Sequence, residues 1–272
     1  MTGKLKGILL PILLACAMFV SAQTDTSFQL IKIITGDIVD FTIDNLDNIY
    51  VLNSRNQVKK LNANGDSVAV FNDIKRFGKA TLIDVSNPLK ILLYYKDFAS
   101  IVVLDRFLNA VNTIDLRKQD ILQAKAIGQS YDNKIWVYDE LENKLKKIDE
   151  DGKLLQETTD FRQLFDRTPV PQELFDQDKY VYLYDSTQAI FVFDYYGAFK
   201  NKIQISGWHN FKVTGKYIFG DKAGVLYRYE ISNLKLTQWR MPAELRGSQS
   251  FNFSTTRLYA MKKDRIDVYS IR

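Results

Sequence analysis

Residues 135–139 read Ile135-Trp136-Val137-Tyr138-Asp139, a short run of β-branched and aromatic residues that is typical of a strand. Similar runs recur along the chain, and their first residues lie 42, 44, 46, 36 and 41 positions apart. A polar turn, a second alternating strand, a tight turn and a closing strand follow the runs. A repeat of about 42 residues with four short strands is the signature of a β-propeller blade. The six runs are 49–52, 91–95, 135–139, 181–185, 217–221 and 258–261.

The tight turns that close the units support the same interpretation. Residues 62–65 read Asn-Ala-Asn-Gly, residues 149–152 read Asp-Glu-Asp-Gly, and residues 194–197 read Asp-Tyr-Tyr-Gly. Glycine and asparagine supply the positive φ angles that such hairpin turns require. The sequence therefore predicts strands joined by tight hairpins.

The two ends of the sequence indicate how the ring closes. Six units fit between Gly36 and Arg272, but the last has only three strands, at 250–254, 257–262 and 265–271. A spare strand lies upstream of the first unit, at 28–34. Pairing that strand with 265–271 would close the ring and remove two open sheet edges. We therefore predict an all-β fold, a six-bladed β-propeller with four-stranded blades whose last blade is closed by the N-terminal strand. An open sandwich would leave the spare strand unexplained.

Composition limits the chemistry. The chain has 272 residues, 46% of them hydrophobic, with one cysteine and one histidine. These two residues cannot build a multi-histidine zinc site, an iron–sulfur cluster or a disulfide framework. A chain this long buries enough surface to fold without such staples. No P-loop, dinucleotide-binding glycine pattern or nucleophile elbow appears.

The N-terminal residues predict export. Lys4 and Lys6 precede an apolar run at 8–20, and Ala22 provides a small residue for signal peptidase, so residues 1–22 read as a signal peptide. Residues 23–272 then form a single propeller domain in the periplasm or at the outer membrane. One alternative is a lipoprotein modified at Cys16, which ends the sequence Leu-Leu-Ala-Cys. A membrane anchor is a weaker alternative, because the run is shorter than the ~20 residues of a spanning helix.

The blade pattern resembles that of NHL-type six-bladed propellers. Residues 44–51 read Asp-Asn-Leu-Asp-Asn-Ile-Tyr-Val and residues 58–65 read Val-Lys-Lys-Leu-Asn-Ala-Asn-Gly, and blade three repeats this pattern from Asp132 to Gly152. Blades two and five depart from it. The leader, the chain length and the aromatic-rich blades also resemble those of cell-envelope propellers from Bacteroidetes-type bacteria. This second resemblance implies work with outer-membrane machinery such as the type IX secretion translocon.

Two connections break the repeat. Residues 116–124 are polar and charged and predict a helical turn on one rim. Residues 160–171 carry two phenylalanines and two prolines. A loop of this length on a rigid scaffold often binds something, and the competing interpretation is a linker whose aromatic residues pack against the blade.

The acidic residues and the histidine raise an enzymatic function as an alternative. Some six-bladed propellers are calcium-dependent lactonases with carboxylates in the axial channel, and the candidates for such a site are Asp37, Asp40, Asp84 and Asp176. Aspartate is also a routine turn residue. His209 lies between aromatic residues, which favours a packed histidine or a rim contact, and lyases on this fold use several histidines. We therefore predict no catalytic residue, no metal site and no cofactor, with the hydrolase as the alternative.

Charge is divided unevenly along the chain. Residues 23–199 contain 21 basic and 27 acidic residues, whereas residues 200–272 contain 14 basic and 5 acidic residues. Because consecutive blades are neighbours in the ring, one sector is predicted to be basic and to steer an acidic partner. The export signal disfavours nucleic acid, so an acidic protein surface or anionic lipid is the expected partner, with a solvated basic face as the competing interpretation. The candidate partner-binding residues are Trp208, Tyr227, Trp239, Arg240, Arg246 and Arg257.

These observations predict a non-enzymatic binding or scaffold propeller that docks onto a protein complex of the cell envelope. Recognition of an extracellular glycan or peptide is a third possibility that the sequence leaves open.

Overall fold

The computed structural model describes residues 28–271, so the predicted signal peptide and Cys16 lie outside the described residues. Two short helices, α1 Ile74–Phe77 and α2 Phe161–Leu164, lie in connections between strands. Within this range no helix is both long and apolar enough to cross a bilayer. The strands of the described residues are β1 Phe28–Thr35, β2 Asp40–Ile43, β3 Ile49–Leu52, β4 Val58–Leu61, β5 Ser67–Phe71, β6 Leu82–Asn87, β7 Lys90–Tyr95, β8 Ser100–Asp105, β9 Ala110–Asp115, β10 Ala124–Gln129, β11 Ile135–Asp139, β12 Lys144–Ile148, β13 Leu154–Glu157, β14 Glu173–Gln177, β15 Tyr180–Asp185, β16 Ala189–Asp194, β17 Phe199–Ile203, β18 His209–Thr214, β19 Tyr217–Lys222, β20 Val225–Glu230, β21 Lys235–Arg240, β22 Ser250–Phe253, β23 Arg257–Lys262 and β24 Arg265–Ile271.

These strands form six four-stranded antiparallel sheets, which confirms the predicted six-bladed propeller. Blades one to five each use four consecutive strands, β2–β5, β6–β9, β10–β13, β14–β17 and β18–β21. Blade six has the order β22, β23, β24 and β1. In every blade the first strand is innermost and runs along the ring axis. We call the end of the ring at which the innermost strands begin the entry face, and the opposite end the exit face.

The N-terminal strand closes the ring as predicted. β1 pairs antiparallel with β24 from Phe28 opposite Ile271 to Thr35 opposite Arg265, with a bulge between Leu30 and Lys32. Ile34 is buried in the core between blades six and one. The first and last blades are therefore joined by hydrogen bonds within one sheet rather than by contact between two sheets.

Packing between blades explains why the second strands read as continuous apolar runs. In β3, Tyr50 and Leu52 pack toward blade two, whereas Ile49 and Val51 pack toward blade six. All four side chains are buried. A strand covered on both faces loses the usual alternation of apolar and polar residues, and each such strand contributes to two of the interblade cores.

The acidic turn in the repeated motif has a clear structural role. The Asp44 carboxylate accepts hydrogen bonds from the backbone N–H groups of Leu46 and Asn48, at 2.9 Å each, and from the Asn48 side-chain amide at 2.8 Å. Asp105 and Asp194 make the same pair of backbone contacts in their own turns. The motif therefore encodes turn geometry and does not by itself indicate a catalytic carboxylate.

The long connection at 160–171 packs against its blade. The Phe161 ring lies parallel to that of Phe193 with centroids 5.1 Å apart, and Phe161 is fully buried. The Tyr138 hydroxyl donates to the Pro169 carbonyl at 2.9 Å. These contacts support the linker interpretation of this segment. The other irregular stretch contains a 3-10 turn at Leu116–Gln119, in line with the predicted helical turn.

Candidate functional site

The innermost strands of all six blades surround an axial channel with two cavities. The cavity toward the entry face has a volume of about 260 Å³, and the cavity toward the exit face has a volume of about 310 Å³. Four residues line both cavities and so form the waist of the channel: Asp84, Leu174, Phe175 and Lys212. Glu173 and Asp40 line the entry-side cavity. The channel is therefore polar and carries charges of both signs.

Two charged side chains in this channel have strongly altered acidity. Glu173 is reached by water, yet protein surrounds it within the channel, and this partial burial raises its pKa to about 7. Lys212 opposes this shift, whereas Asp84 and Asp40 add to it. Burial lowers the pKa of Lys212, and Asp84 and Glu173 partly offset that effect. Charged groups with opposing shifts of this kind are common in binding sites.

Glu173 makes the stability of the ring depend on pH. Because its folded-state pKa lies above the ordinary value of 4.5, the ionised side chain is less favourable in the folded than in the unfolded chain. The contribution of Glu173 to stability is therefore full below pH 4.5 and is lost as the pH rises through about 7. We expect Glu173→Gln to melt higher than the parent at pH 8, with a much smaller difference at pH 4.5. The exposed Glu244→Gln serves as a control, and a pH-independent difference for Glu173→Gln would contradict the assigned acidity.

The structure does not bring the four carboxylates proposed for a calcium site together in one cluster. Asp40 and Asp84 line the entry-side cavity. Asp37 is exposed and accepts hydrogen bonds from the backbone and hydroxyl of Ser54. Asp176 accepts from the Ser130 hydroxyl at 2.8 Å and the Trp136 indole at 3.1 Å. Across residues 28–271, no three metal-ligating side chains converge on a point that could hold an ion.

The only histidine lies on the rim. His209 begins β18, is exposed, and stands opposite Asp221 in the register of blade five. Asp221 instead accepts a hydrogen bond from the Asn210 side chain at 2.7 Å. This placement fits the predicted rim contact.

Two of the predicted partner-binding residues pack in the interior. The rings of Trp208 and Tyr227 stack with centroids 4.9 Å apart, in the core shared by blades four and five. The Trp208 backbone N–H donates to the Tyr184 hydroxyl at 2.7 Å. Trp208 is buried and Tyr227 is half-buried, so Trp208 offers almost no surface to a partner.

Trp239 and Arg257 also make internal contacts. The Trp239 ring meets Phe28 edge to face, with centroids 5.8 Å apart, which ties blade five to the closing strand. Arg257 begins β23 directly after an exit-face turn, and its guanidinium lies 3.2 Å from the Asp47 carboxylate. Arg257 is therefore at the opposite end of the ring from Arg240 and Arg246.

A group of basic side chains lies together on the entry face of blades five and six. Arg240 ends β21 beside the hairpin of β19 and β20, as shown by the hydrogen bond from the Met241 N–H to the Gly224 carbonyl. Arg246 lies in the connection that leads to β22. Lys263 is at the tip of the β23–β24 hairpin. All three are exposed, and none of them forms an ion pair with a described residue.

The neighbouring cations of this face form ion pairs or hydrogen bonds within the protein. Lys262 and Arg265 both bind the buried Asp267 carboxylate, at 2.7 and 3.0 Å. The Lys222 ammonium donates to the Ser206 carbonyl at 3.1 Å. We call Arg240, Arg246 and Lys263 the basic entry patch, because these three are exposed and make no ion pair with a described residue.

The fold matches solved propellers of diverse origin. A virginiamycin B lyase from Staphylococcus aureus has a TM-score of 0.63 at 13% identity, covering 90% of this chain and 100% of that chain. The Pan2 WD40 domain of Neurospora crassa has 0.62 at 9%, covering 90% and 95%. The Cps50 (Swd1) β-propeller domain of Myceliophteria thermophila has 0.60 at 10%, covering 90% and 100%. At these identities the matches show the fold alone. No family model and no curated protein matches the sequence.

Sequence reasoning did not place Glu173 and Lys212 in the channel. The signal was present, because each is a charged residue next to a buried apolar residue on an innermost strand, as in Phe211-Lys212-Val213. The face of an innermost strand that turns away from the interblade core must face the channel. To identify these residues from the sequence, the first residue of each innermost strand must be known to within one position, because a shift of one residue exchanges the two faces of the strand.

Proposed function

We propose that this protein is a non-catalytic binding propeller whose basic entry patch docks onto an acidic surface of a protein complex in the cell envelope. A complex of the outer membrane or of a secretion translocon is the partner that the sequence resemblance favours. The observation that carries the proposal is the exposure of Arg240, Arg246 and Lys263 without an ion-pair partner among residues 28–271, whereas two nearby cations share the Asp267 carboxylate.

The charge of the basic entry patch is expected to raise the rate at which the protein meets its partner. An excess of charge of one sign on one face steers a partner of opposite charge and speeds association. Their effect decreases with ionic strength because the Debye length is about 8 Å at physiological salt. Arginine is also enriched among the residues that dominate binding energy. The proposal therefore includes salt-sensitive association.

Charge reversal tests this proposal. The triple variant Arg240→Glu, Arg246→Glu and Lys263→Glu should fold like the parent, because exposed substitutions usually change stability by less than about 0.5 kcal/mol each. It should lose its co-purifying envelope partner by about tenfold or more. Arg257 is left unchanged because it pairs with Asp47 on the exit face.

A matched control separates the patch from total charge. Arg55→Glu, Lys75→Glu and Lys118→Glu change the net charge by the same amount, at exposed positions in turns and connections of blades one to three on the entry face. This control should retain the partner. Equal retention by both triple variants would show that the patch is only a solvated face.

A further inference from the structure

The exit face carries apolar side chains at positions where turns ordinarily carry polar ones. Turn residues are usually glycine, proline, asparagine, aspartate or serine. Here six turn residues between strands are large and apolar or aromatic, and their side chains are 53% to 87% exposed. They are Leu46, Leu89, Phe107, Tyr131, Tyr196 and Leu234.

These six residues are distributed over five blades but share one end of the ring. Leu46, Leu89 and Tyr131 lie in turns that follow an innermost strand. Phe107, Tyr196 and Leu234 lie in turns between the third and fourth strands. Both kinds of turn reach the exit face in an antiparallel four-stranded blade. The result is a discontinuous ring of apolar tips around the channel mouth, which we call the exit-face tips.

The surroundings of one tip fit a membrane–water interface. The Arg106 guanidinium lies 4.7 Å from the centre of the Phe107 ring, and both residues are exposed. An aromatic ring beside a long cationic side chain suits the headgroup region, where the ring is partly buried and the charge remains in water. The Tyr131 ring stacks on Tyr195, with centroids 4.0 Å apart, which fixes its position.

The path of the chain leads toward the same side. Phe28 pairs with Ile271, so the described chain begins at the exit-face end of blade six. Only seven residues separate Phe28 from Val20, the end of the apolar run at 8–20, and eleven separate it from Cys16. At about 3.3–3.6 Å per residue, a connection of this length spans at most roughly 45 Å. A retained apolar run or a lipid on Cys16 would therefore hold this face close to a bilayer.

We propose that the exit-face tips rest on a lipid surface, so that the propeller lies on the membrane with its entry face pointing away from it. The binding is apolar in character, because the turn at 149–152 brings three acidic residues to the same face and opposes anionic lipid. The structural basis is separate from that of the basic entry patch, which would remain free on the opposite face.

Fluorescence quenching measures this orientation directly. Tyr196→Cys on the exit face and Leu141→Cys on the entry face are made in the full chain, isolated from the envelope and labelled with a fluorescent dye. The labelled protein is added to phosphatidylcholine vesicles that contain brominated lipid. The unsubstituted protein is labelled in the same way, and its fluorescence gives the signal that comes from any dye on Cys16. Strong quenching at position 196 with little at 141 is expected.

Substitution of the tips separates their contribution from that of an N-terminal anchor. Leu46→Ser, Phe107→Ser and Leu234→Ser together should lower vesicle partitioning by about tenfold or abolish quenching at 196. The matched entry-face triple Phe98→Ser, Leu122→Ser and Leu141→Ser should leave both unchanged. Three results would overturn the proposal. They are equal quenching at positions 196 and 141, no quenching at either position, and shielding of the dye at position 196 by a protein partner in the absence of lipid.

Discussion

A chain that lacks residues 28–35 should lose its cooperative fold or melt roughly 10 °C or more below the parent. These residues form β1, which provides the outer strand of blade six and pairs with β24 over its whole length. Their removal exposes the edge of β24 and uncovers the core that Ile34 and Phe28 help to cover. An exposed long edge strand also promotes aggregation. Thermal unfolding followed by circular dichroism, with light scattering for aggregation, measures the effect.

A permuted chain keeps this prediction testable even if the deletion does not express. Residues 28–35 are placed after Arg272 through a short glycine-containing turn, which suits the hairpin because Phe28 and Ile271 are paired. This chain should fold and melt close to the parent. A deleted chain that melts like the parent, or a permuted chain that fails to fold, would contradict closure by β1.

Lys146→Met should destabilise the protein by about 3–5 kcal/mol, because it leaves a buried carboxylate without its counter-ion. The Lys146 ammonium lies 2.8 Å from the Asp139 carboxylate and 3.0 Å from that of Glu142, and the Lys146 and Asp139 side chains are almost wholly buried. Burial lowers the pKa of Lys146, but the hydrogen bonds to these carboxylates outweigh it, and the pKa is raised. Urea unfolding at pH 7 measures the loss.

Blade one provides a matched control for this ion pair. Lys59 stands opposite Val51 in the same register that places Lys146 opposite Val137, but it forms no ion pair among the described residues. Lys59→Met should therefore change stability by less than about 1 kcal/mol. The double variant Lys146→Met with Asp139→Asn should recover much of the loss, because no buried charge remains unpaired and the amide oxygen can still accept from the Leu141 N–H. Equal losses for Lys59→Met and Lys146→Met would show that the pair contributes nothing specific.

The architecture was predictable because each blade repeats the same physical requirements. The second strands are covered on both faces, so they read as apolar runs such as Ile49–Leu52, and their spacing gives the number of blades. The last unit lacks one strand and one spare strand precedes the first unit, so the sequence predicted that the N-terminal strand completes the last blade. Turn chemistry at Asp44 and Gly65 marked the strand boundaries, and Gly65 does adopt a positive φ of 79°.

The candidate site was less predictable, because it depends on direction and register rather than on composition. Charge along the sequence places the basic residues in blades five and six, but not at one end of them. Strand direction separates Arg257 from Arg240 and Arg246. Aromatic residues were ambiguous for a similar reason. Tryptophan is a residue type that is enriched in binding hot spots. Trp208 nevertheless packs in the interblade core, where its backbone forms hydrogen bonds with the Tyr184 hydroxyl.

The most direct test of the central claim is site-specific photo-crosslinking in intact cells. A photoreactive residue at position 246, in the basic entry patch, should form a crosslink to an acidic envelope protein. The same residue at position 118, an exposed site on the entry face near blades two and three, should not. The crosslink at 246 should weaken as salt is raised in isolated envelopes. Crosslinking at 118 but not at 246, or equal yields at both positions, would contradict the proposal that the basic entry patch binds the partner.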